Sequence, residues 1–304
     1  MCIRDSSAAV SALKKGKAPG PDAIHAEFLR LGGDAIVGSL LLLFQELFRL
    51  RIWPTRWCLG NIQPIHKTGP KENLGNYRPV TLLSIVSKVF EWILNVRLTK
   101  WAEDNHKLQD EQGGFRPHRG CSDQIFILHE MMHSRKERHL PTHCAFLDVK
   151  LAYDRVWRPG MLYELYRMGC RGRTWRMIAA MYRRMSRQVI VDGQLTAPFE
   201  IEVGVSQGAV LSPFLYSVFI NGLIVELNKY NLGLEVSTAK RLAALLYADD
   251  IVLLARNAEE LQTMLAIAGE YASRWKFRFN HKKSEIVTFG TATQIAAAKS
   301  GCTC

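Results

Sequence analysis

The stretch Leu242-Ala243-Ala244-Leu245-Leu246-Tyr247-Ala248-Asp249-Asp250-Ile251-Val252-Leu253-Leu254-Ala255 decides how this chain is read. Apolar runs at 242–247 and 251–255 flank Ala248-Asp249-Asp250 at the spacing of a hairpin. Short apolar runs on either side of a turn signal are the pattern of buried strands. Two adjacent carboxylates between such strands are costly, because like charges repel and burial favours the neutral acids. An Asp-rich turn open to water is the plain alternative, and the tetrad alone does not exclude it.

A second carboxylate changes the weighing. Phe146-Leu147-Asp148 falls within a further apolar run, 143–149. By itself Asp148 reads equally well as a cap on the next segment. Together, Asp148 and Asp249 each stand at a strand end of a basic chain. Facing strand-end carboxylates can hold two Mg²⁺ ions about 3.5–4 Å apart, which activates the attacking oxygen and stabilises the leaving oxygen of a phosphoryl transfer. Mg²⁺ favours such carboxylates together with substrate phosphates.

Around this pair lie 304 residues, 48% of them hydrophobic. That is enough for one large domain or two modest ones, and too apolar for disorder throughout. Lys and Arg number 40 against 28 Asp and Glu, a formal charge of +12. The excess points to a polyanionic partner, nucleic acid or an anionic membrane surface. The longest apolar run, 36–43, is interrupted by Gly38 and Ser39 and is too short to span a bilayer. The seven Cys include no CxxC pair and no zinc spacing, and Cys302 and Cys304 sit at the end of the chain. Reduced thiols in an intracellular protein, nuclear or cytoplasmic, are expected. Met1 to Ser6 does not read as the opening of an element; it looks like translated adapter sequence and is set aside.

Residues 11–33 read as a basic Gly/Pro loop with Asp22 near a helix N-cap. Apolar spacing predicts helices at 35–50, 82–102, 125–133, 171–187, 213–227 and 258–275. Strands are expected at 61–66, 143–149, 189–193, 199–203, 242–247, 251–255 and 286–289, with a turn at Asp192-Gly193. Helices mixed with short strands, without strict βαβ alternation, indicate an α+β fold.

Seven segments in order now bear on family. They are Lys17-Ala18-Pro19-Gly20-Pro21-Asp22, Asn76-Tyr77-Arg78-Pro79-Val80-Thr81-Leu82-Leu83-Ser84, and Gln112-Gly113-Gly114-Phe115-Arg116-Pro117-His118-Arg119 with Asp123 downstream. Then come the palm-type motif from Phe146 to Val156, Gly204-Val205-Ser206-Gln207-Gly208 with Leu211-Ser212-Pro213, the Tyr247-Ala248-Asp249-Asp250 box, and Asn280 with Lys283, Ser284 and Glu285. From about residue 14 to about 290 the chain resembles the reverse transcriptase domain of non-LTR (LINE-type) retrotransposons, an RNA-directed DNA polymerase family.

The resemblance implies a right-hand polymerase, with fingers and the fingers–palm connection at 12–140, palm at 141–290 with an antiparallel sheet packed on helices, and the start of a truncated C-terminal segment at 291–304. It implies that Asp148 and Asp249 bind two Mg²⁺ ions, or Mn²⁺ in their place, with Asp250 a nearby acid. Lys67 and Arg78 would hold the incoming dNTP triphosphate, as fixed cations offset phosphate charge; otherwise they are ordinary surface residues. Gln207-Gly208 would let the backbone approach template and nucleotide, the alternative being a helix-entry turn. Lys283 would protonate departing pyrophosphate, or is simply solvated. Tyr153 would pack under the sugar and exclude a 2′-hydroxyl, or is a core aromatic. The partners implied are template RNA, a DNA primer and dNTP, with the thumb and endonuclease in a longer polyprotein and no membrane.

Arg176, Arg183, Arg184 and Arg187 fall on one side of the expected 171–187 helix at about 100° per residue, with Met177, Met181 and Met185 on the other. The Met side reads as core and the Arg side as a phosphate-contacting face or a solvated surface. Arg116, His118 and Arg119 on the glycine loop form a second basic candidate, placed by resemblance near the template. Leu151 stands where the family usually has Lys; Ser206 and Ala209-Val210 replace the more frequent Arg and Cys-Pro. Two other readings stay open: an RNA-dependent RNA polymerase, since Asp154 lies six residues after Asp148, and a non-catalytic nucleic-acid-binding remnant.

Overall fold

The computed structural model describes residues 2–237, 240–291 and 293–295. In chain order the elements are α1 (Ile3–Ser11), α2 (Ala26–Leu31), α3 (Gly33–Leu50), α4 (Thr55–Cys58), β1 (Leu59–His66), β2 (Tyr77–Leu82), α5 (Ile85–Asp104), α6 (Cys121–Glu137) and β3 (Thr142–Asp148). They continue as α7 (Arg158–Arg167), α8 (Gly172–Met181), β4 (Ser186–Val191), β5 (Gln194–Leu195), β6 (Phe199–Glu200), α9 (Ser212–Asn228), β7 (Leu234–Ser237), β8 (Lys240–Leu242), β9 (Ala244–Tyr247), β10 (Asp250–Ala255), α10 (Ala258–Arg274) and β11 (Glu285–Phe289). The mixture is α+β. Two units share the chain, and each takes two separate stretches: Met1–Trp101 with Leu162–Ser212, and Ala102–Met161 with the described residues from Pro213 onward.

In the second unit the apolar runs become an antiparallel sheet of order β11-β3-β10-β9. Cys144, Ala145, Leu253, Leu254 and Leu246 are fully buried in it. β3 is mostly apolar and buried; on one face Cys144 and Phe146 are covered by Leu128 and Met131 of α6 and by Leu234 and Leu242. Helix α9 is apolar all round and correspondingly buried, with Leu215, Tyr216, Val218, Ile220, Leu223 and Ile224 at 0% exposure. Each such side chain contributes about 2 kcal/mol on burial. Helix α10 opens on Asn257, whose side chain accepts the Glu260 N–H at 2.8 Å.

The first unit carries a mixed sheet of order β2-β1-β4-β5, with β6 also on β4. β1 pairs antiparallel with β2 and parallel with β4. Pro64 in β1 faces Pro79 on the edge strand β2, beyond the four residues of β1 that pair with β4, so neither ring removes a donor from the β1–β4 ladder. Phe44, Trp53, Trp57 and Phe90 pack as an aromatic cluster with centroids 5.0–6.4 Å apart.

Several expectations need correction. The 171–187 helix ends at Met181, because Ser186–Val191 is taken into the sheet beside β1. The Met side holds as core: Met177, Met181 and Met185 are buried. Asp22 does not cap α2, whose N-cap is His25; it accepts the Ile24 N–H in a local turn. Residues 3–6 belong to α1, where Asp5 pairs with Arg97 at 2.7 Å. Helix α7, edge strand β2 and the β7–β8 hairpin were not anticipated. Cys2, Cys58, Cys121, Cys144 and Cys170 are free thiols, and burial pushes the Cys144 thiol up to about 12; Cys302 and Cys304 lie outside the described residues. Among the described residues no helix is long and apolar enough to cross a membrane.

Candidate active site

The hairpin read from the sequence is the centre of the second unit. β9 and β10 pair so that Tyr247 faces Asp250, leaving Ala248 and Asp249 as the turn. Ala248 has φ 61°, the left-handed region, which costs a residue with a side chain about 1–2 kcal/mol. The turn is backed by the segment around Gln112, which runs beside β9: Leu246 N–H donates to Glu111 O at 2.9 Å, and Gly113 N–H to Leu246 O at 2.8 Å. A Cβ at Gly114 would stand 2.1 Å from the Ala248 nitrogen, so the approach requires glycine there.

β3 lies on the other side of β10, in a register that sets Asp148 opposite Asp250. Asp148 is tethered three times. Asn280 Nδ2 donates to its carboxylate at 3.0 Å, Asn280 N–H donates to its carbonyl at 2.8 Å, and its own N–H donates to Ser284 Oγ at 3.2 Å. Asn280 and Ser284 belong to the last of the seven segments; they lie 132 and 136 residues beyond Asp148, and a local turn at 280–284 returns them to it. Burial raises the Asp250 carboxyl above its ordinary range, and the charges of Asp249 and Asp148 push it the same way.

Asp148, Asp250, Tyr247 and Lys283 line a cavity of about 450 Å³ whose other walls are mostly apolar, Phe146, Leu245 and Val252 among them, with Gln124 of α6 as a further polar group. Lys283 therefore stands on the same cavity as two of the carboxylates. Tyr153 is half-buried and stacks on Tyr216 at 5.3 Å with an interplanar angle of 7°; Phe115 meets it edge-on at 6.4 Å. Burial, and after it the charge of Asp249, raise the Tyr153 phenol.

Lys67, Arg78, Gln207 and Gly208 belong to the first unit. Lys67 follows β1 and Arg78 lies on β2; both are exposed. Gln207 and Gly208 are brought to β2 as well, since Thr81 N–H donates to Gln207 O at 2.7 Å.

The arginines divide. Arg176, Arg183 and Arg184 are exposed, though Arg183 and Arg184 lie beyond the end of α8 and form no single helical face with Arg176. Arg187 is corrected to an internal role: it is 2% exposed and donates to Cys58 O at 2.9 Å, to Ser186 O at 2.7 Å and to Ser206 Oγ. Arg116 is corrected likewise. It is buried and grips Glu103 with two bonds of 2.8 and 2.7 Å, holding Glu103 well below the usual carboxylate range. Arg119, half-buried, pairs with Asp110 at 2.9 Å. His129-Glu130-Met131-Met132-His133 has the spacing of a zinc-peptidase motif. Its histidines are exposed on α6, and among the described residues no set of three His, Cys, Asp or Glu could hold a metal ion.

The RNA-directed DNA polymerase from mobile element jockey of Drosophila melanogaster is 30% identical over 291 residues, 93% of this chain and 31% of the relative. The Pol polyprotein from type-1 retrotransposable element R2 of Popillia japonica is 29% identical, over 83% of this chain and 34% of its own length. The chain thus spans about a third of these curated relatives. In fold it is similar to telomerase from Candida tropicalis, solved with a fragment of telomeric RNA, with a TM-score of 0.57 and 13% identity over 85% of this chain and 45% of that one. Residues 65–300, which include both strand-end carboxylates and every loop around them, match the description Reverse transcriptase (RNA-dependent DNA polymerase), and the chain belongs to that family.

Proposed function

We propose that the chain is the fingers and palm part of an RNA-directed DNA polymerase from a non-LTR element, adding dNTPs to a primer 3′-hydroxyl on an RNA template. The observation that carries this is the antiparallel register of Asp148 and Asp250 with Asp249 at the adjoining turn, in a chain of this family. The ions assigned to Asp148 and Asp249 are two Mg²⁺, or Mn²⁺ in their place; among the described residues no three acidic, His or Cys side chains are gathered for a metal, so water and substrate phosphates would complete the shell. The Asp250 carboxyl is raised by burial and further by its two acidic neighbours, so a bound cation would relieve the cluster. Mg²⁺ takes one or two carboxylates and completes its shell with water and substrate phosphates. Asp148 and Asp249 would hold it, and bound there it supplies charge stabilisation to the attacking and leaving oxygens of phosphoryl transfer.

The chain's own groups do the rest. Asn280 orients the Asp148 carboxylate. Lys283 shares a cavity with Asp148 and Asp250, which supports the role of giving a proton to departing pyrophosphate. Tyr153, stiffened by its stack on Tyr216, sets the floor under the sugar and refuses a 2′-hydroxyl. Lys67 and Arg78 neutralise the triphosphate, and Gln207 and Gly208 receive the nucleotide. Arg176, Arg183 and Arg184 contact nucleic-acid phosphates. A thumb and an endonuclease belong to the longer polyprotein.

The test is primer extension on poly(rA)/oligo(dT) with dTTP and Mg²⁺, using the chain fused to a related thumb. Incorporation by the wild type and none by Asp249→Asn is expected; equal signal from both sinks the enzymatic reading. Tyr153→Ala is expected to admit ribonucleotides, and an unchanged dNTP preference removes Tyr153 from the sugar gate.

A further inference from the structure

Glu91 is a carboxylate that the chemistry above leaves unused. It lies on α5 at 3% exposure, and burial raises its pKa against the pull of two amide donors, Lys88 and Arg187. A buried carboxylate is costly unless several donors meet it. Here the donors are backbone groups: Val210 N–H at 2.8 Å and Leu211 N–H at 3.2 Å both reach Glu91 Oε2. These amides end the loop 206–211, and the same loop is held at two other points. Buried Arg187 donates to Ser206 Oγ at its start. In its middle Thr81 N–H donates to Gln207 O at 2.7 Å, and Gly208, at φ 126°, approaches so closely that a Cβ would stand 2.4 Å from Thr81 O. Glu91, Arg187, Ser206 and Ala209 line one small internal cavity, so the outer anchors share a floor.

We propose that Glu91 is a positioning residue for nucleotide addition, pinning the far end of the 206–211 loop so that Gln207 and Gly208 meet the incoming nucleotide in one conformation. The role rests on the polymerase reading above. A site held by locked neighbours binds without first ordering itself. Removing the acceptor leaves two amides unpaired and frees the loop's end, while the Thr81 anchor stays. The defect should therefore appear in nucleotide binding, with primer–template affinity preserved.

Glu91→Ala and Glu91→Gln chains, made in the same thumb fusion, would be compared in extension at varied dTTP, in primer–template binding, and in hydrogen exchange at Val210 and Leu211. Glu91→Ala is expected to raise KM for dTTP about tenfold with kcat within about threefold, and to speed exchange of both amides, as loss of one to two hydrogen bonds predicts. Glu91→Gln keeps an oxygen acceptor and is expected to recover KM to within about threefold of wild type. Should Glu91→Ala fail to fold, Glu91→Asp, whose shorter side chain withdraws the acceptor, takes its place. An unchanged KM in a folded Glu91→Ala chain overturns the positioning role. So does a loss of activity that merely follows thermal unfolding, equal in Ala and Gln. A wild type that extends nothing removes the polymerase reading and this role with it, while amide exchange still reports whether Glu91 clamps the loop.

Discussion

The carboxylates of the second unit and the cations of the first carry opposite charges and are held in opposite ways. Asp148 and Asp250 sit in register on neighbouring strands, and Asp148 has three further tethers to Asn280 and Ser284. Displacing either acid means breaking the pairing of β3 with β10, two inner strands that are mostly buried although Asp250 itself is exposed. Lys67 and Arg78 stand exposed at the outer end of a two-stranded ladder, with Arg78 on an edge strand. The difference follows from what each charge must do. Like carboxylates repel, so only a rigid frame keeps them together before a cation arrives. A cation meeting phosphate is drawn into place by the attraction itself, and a long side chain on an edge strand suffices.

The comparison can be broken at its strongest point first. Asp148→Asn or Asp249→Asn should lower kcat in primer extension about a thousandfold, the effect of removing some 4 kcal/mol of metal-borne stabilisation. A residual activity near wild type would remove both from the reacting centre. Asn280→Ala leaves the acid but frees its orientation, and a fall of about 30-fold is expected, as for groups that orient metal ligands. If Asn280→Ala changes nothing, the rigid frame is not what the chemistry uses. Arg78→Ala should cost less, raising KM for dTTP about tenfold through one lost charge-assisted contact. An effect on kcat as large as that of Asn280→Ala would erase the contrast between the two regions.

The smallest effect concerns stability. Burial and two like charges raise the folded-state pKa of Asp250 above its unfolded value. Ionising it therefore weakens the fold: without divalent cation, the chain is steadier below the ordinary carboxylate range and loses that increment as pH rises through the raised pKa. Asp250→Asn removes the penalty, and Tm in chelator at pH 7 should rise by about 2 °C, with no gain at pH 3. A lower Tm at pH 7 would mean that the carboxylates do not strain one another.

What the residues disclosed by themselves follows the range of the forces involved. The acids were legible because each ends an apolar run, a pattern carried in six or seven consecutive residues. The α+β class was legible for the same reason. The 171–187 helix was overextended because the Met spacing at 177, 181 and 185 continues past the true end, while the competing signal, pairing of 186–189 with β1, lies more than 120 residues away. Arg116 and Arg187 looked like nucleic-acid contacts because nothing local announces Glu103 or Ser206 as partners. The contact of Gly114 with Ala248 was hidden for the same reason.

The pairing of β3 with β10 also has a genetic consequence. Asp148 is encoded 101 codons before Asp249. A stop codon or a frameshift between codons 148 and 249 therefore removes Asp249 and Asp250 while sparing Asp148. A copy cut there keeps one acid of the constellation without the two that face it, and a strand β3 without the neighbour β10 that holds its register.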